Sequence, residues 1–216
     1  INEPVTYADA RRIVLKKQNR VDYSEHISTR CNVIDYQGNL LSSTEFYTIG
    51  DFSNGLAPAQ FYANSTFGFI DETGEFAIPP KFDHAGPFCN GLAPASVNGR
   101  WGYVDTTGEF VKLYDDPAIT AYVFSDGVAW LRRPNQEAEI ESYFYTLIDT
   151  QFHELFTIEA RLTVPFNEGI SCVKMFDLTP DGKPFYYVRI IDKQGTTLFR
   201  AVSYTHLRAH ETRGNL

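Results

Sequence analysis

"FGFIDETGEF" (Phe67–Phe76) and "WGYVDTTGEF" (Trp101–Phe110) state nearly the same ten-residue phrase twice, 34 residues apart. In the first copy Phe67 and Phe69 alternate with Gly68 and Ile70, Asp71-Glu72-Thr73-Gly74 interrupts, and Phe76 and Ile78 resume the alternation. Period-two patterning on both sides of an Asp-to-Gly tetrapeptide is a β-hairpin signature. The Asp side chain can hydrogen-bond the turn backbone, and the Gly accepts the positive φ that closes a short loop. Pro79-Pro80 is expected to stop the second strand, because Pro cannot donate to a ladder. Phe82 and Phe88 follow as core anchors, and Gly91–Val97 reads as a third strand that Asn98-Gly99 turns into Trp101. Gly68 and Gly102, each behind an aromatic residue, leave room for a neighbouring backbone or ring.

The phrase recurs outward from these copies. Apolar-Asp-x-x-Gly stands at Ile34-Asp35…Gly38, Ile70-Asp71…Gly74, Val104-Asp105…Gly108 and Ile191-Asp192…Gly195, with a degraded copy at Ile148-Asp149…Phe152. Interleaved with it is Phe-x-x-Gly and an apolar residue: Phe52…Gly55-Leu56, Phe88…Gly91-Leu92, Phe124…Gly127-Val128 and Phe166…Gly169-Ile170. The Asp positions step by 36, 34, 44 and 43 residues, a unit of about 35 with insertions in the later copies. One such unit cannot bury its apolar face alone and must stack on the next. The expected fold is therefore all-β, an array of about five hairpin-containing units. The unequal unit lengths favour a solenoid-like stack, with a propeller-like arrangement as the alternative. Phe69, Ile70, Phe76, Ile78, Phe88, Leu92, Trp101, Tyr103, Val104 and Phe124 are the expected core. Pro134–Ser142 and Phe176–Pro184, polar and punctuated by Pro, Gly and acids, are the expected loops.

The fullest copy reads aromatic-Gly-aromatic-apolar-Asp-x-x-Gly, then Ile78-Pro79-Pro80-Lys81-Phe82-Asp83, Phe88…Gly91-Leu92-Ala93, ending in Asn98-Gly99-Arg100-Trp101-Gly102. This pattern resembles the WG-repeat family found in many bacterial proteins, over roughly Cys31 to Arg200. Outer copies depart from it: Cys31-Asn32, Tyr145-Thr146 and Val188-Arg189 replace the aromatic-Gly pair, and the copy at Trp101 lacks the Pro-Pro pair. The resemblance implies an accessory interaction module.

Both ends differ from this texture. Residues 1–30 carry Arg11, Arg12, Lys16, Lys17 and Arg20 around Ile13-Val14-Leu15, which reads either as a solvated strand pair of a decayed repeat or as a basic contact patch. Val202–Leu216 resembles a translated sequencing adapter, so residues 202–216 are set apart from the repeat domain at 31–200. With no initiator Met at Ile1, the chain is expected to be a piece of a longer protein.

Composition narrows the functional classes. The formal net charge is −8, and −9 without the tail's Arg208, Glu211 and Arg213, which disfavours nucleic acid as a partner. Phe and Tyr are abundant (17 and 13), as strands prefer. No run approaches the roughly 20 apolar residues that span a bilayer. Cys31, Cys89 and Cys172 are widely spaced and odd in number, so they read as small apolar residues of a reducing compartment, which mildly favours the cytoplasm.

Catalytic patterns fail at specific positions. "HELFTIE" from His153 has Thr157 where a zinc helix needs its second His. Asp177–Gly182 begins like a calcium loop, but Val188 stands where the bidentate Glu belongs. His84 and Cys89 are a conceivable base and nucleophile without a third orienting group. The turn aspartates recur once per unit and are accounted for by turn hydrogen bonds. The expectation is thus a module with no catalytic residues, metal or cofactor, whose partner is another protein. Its alternatives are a purely structural repeat and, further off, a hydrolase-like enzyme. One copy breaks its own rule. Trp130 stands where Pro58 and Pro94 stand in earlier copies, followed at once by Arg132 and Arg133. These three are the candidate binding residues, because exposed Trp and Arg are enriched in binding hot spots. The structural alternative is a Trp closing the array with solvated arginines beside it.

Overall fold

The structure is a computed structural model that describes residues 13–20, 27–35, 37–138, 141–179 and 184–202. Arg11, Arg12 and the adapter-like residues 203–216 lie outside the described residues, as do 180–183 of the calcium-like loop. Every regular element among the described residues is a strand, which establishes the all-β repeat class. The chain divides into two compact units, residues 1–127 and 128–216.

In the first unit β1 (Ile13–Arg20) and β2 (Ile27–Ile34) form an antiparallel hairpin, so the division expected at residue 30 falls inside β2. Then come β3 (Thr48–Ile49), β4 (Leu56–Gln60), β5 (Phe67–Asp71) and β6 (Phe76–Phe82), a four-stranded sheet in chain order. The next repeat builds the same sheet from β7 (His84–Ala85), β8 (Ala93–Val97), β9 (Arg100–Val104) and β10 (Phe110–Leu113), and β11 (Thr120–Ala121) follows. In the second unit β12 (Val128–Pro134), β13 (Tyr143–Asp149) and β14 (Glu154–Ala160) pair antiparallel in order. A last four-stranded sheet comprises β15 (Leu162–Thr163), β16 (Ile170–Leu178), β17 (Pro184–Asp192) and β18 (Thr197–Val202). The repeating module is a four-stranded meander, richer than a hairpin with one added strand. It serves radial and stacked repeat folds alike.

The two sequence signals are its two turns. In each Asp-x-x-Gly turn the Asp Oδ1 accepts the amides two and four residues on. For Asp35 these are Gln37 (2.9 Å) and Asn39 (2.8 Å), and for Asp192 they are Gln194 (3.0 Å) and Thr196 (2.8 Å). The degraded copy keeps the geometry, with Phe152 itself at φ 65° where the others have Gly. The Phe-x-x-Gly signal is a two-residue hairpin turn. Ser53 and Leu56 exchange backbone bonds of 2.9 and 3.1 Å around Asn54 (φ 54°) and Gly55 (φ 75°), and Cys89 with Leu92 and Asn167 with Ile170 do likewise. Positive φ at both central residues is the turn that matches the strand twist.

Pro79-Pro80 does not stop β6, which runs on to Phe82. β6 is an edge strand, where missing N–H groups are tolerated, and its register slips between the Phe67–Phe82 and Phe69–Ile78 pairs. The slip carries the Pro pair past Gly68, where an added Cβ would lie 2.5 Å from Ile78 O and 2.8 Å from Pro80 N. At Gly102 it would lie 2.1 Å from Lys112 O. The glycine after each aromatic residue is thus required by the bulged neighbouring strand. Two loop boundaries also change: Pro134 ends β12, and Phe176–Leu178 and Pro184 belong to β16 and β17.

The β3–β6 sheet is buried on two faces. Ala57, Ala59 and Ile70 pack back against Cys31, Val33 and Phe46, whereas Leu56, Phe69, Ile78 and Phe82 pack forward against Phe88, Ala93 and Val104. Full burial of a Phe or Ile contributes roughly 1.5–3 kcal/mol. Of the expected core, Phe76, Leu92 and Trp101 are only half-buried, because they lie at the sheet margins; the others are buried. Cys31 is buried, and Cys89 and Cys172 are half-buried.

Candidate functional site

The expected Trp130 patch is corrected by its surroundings. Trp130 lies in β12 and is 2% exposed, ringed by Tyr145, Phe156 and Phe166 at centroid distances of 6.1, 5.7 and 5.7 Å, and its indole N–H donates to Val164 O (3.1 Å). Val128 to Leu131 are all buried, so strand alternation does not bring this ring to the surface. Trp130 is a core residue of the second unit. The half-buried Arg132 stacks on Tyr143 (4.7 Å), and Arg133 is exposed at the next position.

The catalytic look-alikes resolve into structure. His153 sits in the Asp149 turn, its ring nitrogen 3.0 Å from Asp149 Oδ2, and Glu154–Ala160 is a strand, so the zinc-helix spacing has no helix to act on. Cys89 closes a two-residue turn, and burial pushes its thiol above the ordinary value, opposite to what a nucleophile needs. The carboxylates of four turns, Asp35, Asp71, Asp105 and Asp149, are held low. For Asp35 the Asn39 side chain is the main cause, and for Asp105 it is the Thr107 hydroxyl. At Asp71 and Asp149 desolvation pulls upward and is outweighed, by the Thr73 hydroxyl and amide at Asp71 and by the His153 amide and ring at Asp149.

A different surface of the first unit gathers unused chemistry. A groove of about 520 Å³ is lined by Tyr47, Gln60, Asn64, Ser65, Thr66, Phe67, Asp83 and His84. Tyr47 and Asp83 occupy equivalent positions in successive repeats, each following the buried Phe46 or Phe82. The loop from β4 to β5 forms one wall. Its Ser65 hydroxyl donates to Tyr62 O (2.9 Å) and accepts from Tyr62 N (3.1 Å), Gln60 Nε2 donates to Ser65 O, and Asn64 stands at φ 65°. Asp83 Oδ2 accepts from Gly99 N (3.0 Å), which ties this wall to the next turn.

Beside the groove, His84, Ser96 and Trp101 form one row across β7, β8 and β9. The small Ser96 lets the outer two rings meet: the His84 imidazole and Trp101 indole are parallel within 1°, centroids 5.7 Å apart, and Ser96 is 1% exposed. Phe67 continues the row at 6.4 Å from His84. His84 is exposed, Phe67 and Trp101 are half-exposed, and Tyr47 and Tyr62 are 42% and 60% exposed. Sequence reading passed over this surface because its residues come from three separate segments. The signal available was aromatic residues at surface turns.

The WG containing repeat matches residues 33–62, 67–101 and 101–133. Residues 33–133 thus carry three WG repeats. The WG dipeptide itself is Trp101-Gly102, the indole in the exposed row and the glycine beneath the Lys112 carbonyl. Among curated proteins none matches. The fold is similar to a crystal structure of the eukaryotic initiation factor, with 11% identity and a TM-score of 0.55 over 88% of this chain and 52% of that one, so the WG-repeat chain spans about half its length. A prolyl oligopeptidase B from Galerina marginata bound to a 35mer substrate gives 12% identity and a TM-score of 0.42 over 85% of this chain and 30% of that one. At 11% identity the likeness to the initiation factor speaks to fold alone.

Proposed function

We propose that this WG-repeat chain is a non-catalytic binding or scaffolding module whose partner is another protein, held in the groove between Tyr47 and His84. The observation that carries the reading is the parallel His84–Trp101 stack beside a polar-walled groove. Rigid aromatic rings give contact area at little entropic cost, and Gln60, Asn64 and Asp83 supply hydrogen-bonding walls. The titratable groups support a non-catalytic role. The turn aspartates are engaged in their own turns, and the Cys89 thiol is raised by burial.

The test is capture of partners from the source cells by the wild-type chain, His84→Ala and Trp101→Ala, with thermal unfolding of each. His84→Ala should lower recovery about tenfold with an unchanged Tm, as loss of one hot-spot residue does. Unchanged recovery by both variants at unchanged stability would leave the purely structural repeat as the better reading.

A further inference from the structure

The groove between Tyr47 and His84 holds hydrogen-bonding capacity that the described residues leave unused. Gln60 is 8% exposed, and its Nε2 donates to Ser65 O, which fixes the amide and leaves Oε1 as an acceptor with no donor among the described residues. Asp83 is alike: its Oδ2 accepts from Gly99 N (3.0 Å), and no described group donates to Oδ1. Asp83 is the one carboxylate among the lining residues, and no lysine or arginine is among them. The two acceptors flank a ring. Phe67 on β5 pairs with Gln60 on β4 and with Phe82, the residue before Asp83, while Tyr47 N donates to Gln60 O (2.9 Å). Two rings, an amide oxygen and a carboxylate thus line one groove.

The second unit fills the same kind of site from its own chain. Tyr47 N, Asp83 N and Arg161 N donate to Gln60 O, Ser96 O and Lys174 O, so Tyr47, Asp83 and Arg161 are equivalent residues of their repeats. Arg161 brings a guanidinium. It lies 5.3 Å from the Tyr186 ring centroid, donates to the Tyr186 hydroxyl (2.8 Å) and stands 3.6 Å from a Glu141 carboxylate oxygen. Arg132, five residues after Gly127 as Gln60 is after Gly55, lies over the Tyr143 ring at 4.7 Å. Ring, neutral acceptor and carboxylate are satisfied there by arginine. The groove of the first unit has the ring and both acceptors without the cation.

We infer that the groove takes an arginine side chain of the partner protein, a step that rests on the groove being the binding site. The guanidinium pairs with Asp83 Oδ1, donates to Gln60 Oε1 and lies against the Phe67 ring between them. Arginine suits this set better than lysine. Its planar fork of five donors serves two separate acceptors and stacks on a ring, whereas an ammonium is a compact point charge. The net charge of −8 favours a basic partner in the same sense.

A nuclear magnetic resonance titration of the full 216-residue chain with acetyl-glycyl-arginyl-glycinamide tests this, beside the lysine and citrulline peptides. Citrulline keeps the shape of arginine and loses the charge. The arginine peptide should shift the amides of Ser65, Phe67, Asp83 and His84 saturably, with a Kd about tenfold below that of either other peptide, as one charge-assisted bond provides. Asp83→Asn keeps an oxygen for Gly99 N, so its Tm should be unchanged while the preference for arginine disappears. Citrulline or lysine binding as tightly as arginine overturns the inference, and so does a preference that survives Asp83→Asn. If the arginine peptide shifts nothing in the groove while His84→Ala still loses partner capture, the arginine is wrong and the groove reading stands. Capture unchanged by both His84→Ala and Trp101→Ala removes the groove reading and the arginine with it.

Discussion

Gly102 lies beneath the carbonyl of Lys112, so close that a Cβ on it would stand 2.1 Å from that oxygen and 2.9 Å from Leu113 Cα. The contact is with backbone on both sides, so no rotamer change can relieve it. The register slip between Phe110 and Lys112 creates the approach, and β10 can take that slip because it is an edge strand. Gly102→Ala should therefore destabilise the first unit by about 3 kcal/mol, at the upper end of overpacking costs. Urea unfolding beside the exposed control Thr106→Ala measures it. A loss equal to the control's would show that β10 moves aside freely.

Trp130→Ala should act on stability. The ring fills a pocket between Tyr145, Phe156 and Phe166, so truncation should cost about 3–5 kcal/mol. Trp130→Phe keeps most of the packing and loses one hydrogen bond. Val164 O still accepts the Ser171 hydroxyl at 2.7 Å, so no buried carbonyl is orphaned, and the net cost of that bond is about 1 kcal/mol. Equal losses in the two variants would contradict this account.

These two cases mark where the sequence was legible. The Asp turns could be read because their bonds span two to four residues, and the pattern survived even where Phe152 replaced Gly. Gly68 and Gly102 were readable as close approaches. Pro79-Pro80 is not legible as strand because the bulge that accommodates it depends on pairing with β5, and Trp130 is not legible as core because its neighbours Tyr145 and Phe166 come from β13 and from the connection between β15 and β16. The Asn54-Gly55 and Asn90-Gly91 turns were readable in principle as hairpin dipeptides, yet the Phe-x-x-Gly spacing drew attention to the anchors instead. The groove was invisible because Tyr47, Ser65 and His84 converge only through the stacking of two repeats.

Acid should unfold the chain through its turns. Asp35, Asp71, Asp105 and Asp149 are all held below the ordinary carboxylate value, so between the folded and unfolded values the unfolded state binds more protons. The stability they contribute is present above the unfolded value of about 3.9 and is lost as pH falls through the lower folded values. Asp71→Asn can still accept the Thr73 amide with its side-chain oxygen but does not titrate. Urea midpoints below about pH 4 should fall less steeply with acid in this variant. An unaltered slope would mean that the Asp71 turn does not couple to acid unfolding.

The exposed stack can be observed directly because the chain has two tryptophans. With Trp130→Phe in place, all indole emission comes from Trp101, half-buried and covered on one face by the His84 imidazole. That ring shields the indole from collision with solutes while leaving its other contacts alone, and Ser96 beneath adds no bulk. Iodide should quench Trp101 more weakly than a free indole, and His84→Ala should raise the quenching constant without moving the unfolding midpoint. A partner peptide seated in the groove would cover the same row and lower the constant further, in a manner that His84→Ala abolishes. If His84→Ala leaves the quenching unchanged, the two rings do not stay stacked in solution, and the row is too loosely held to act as a rigid recognition surface.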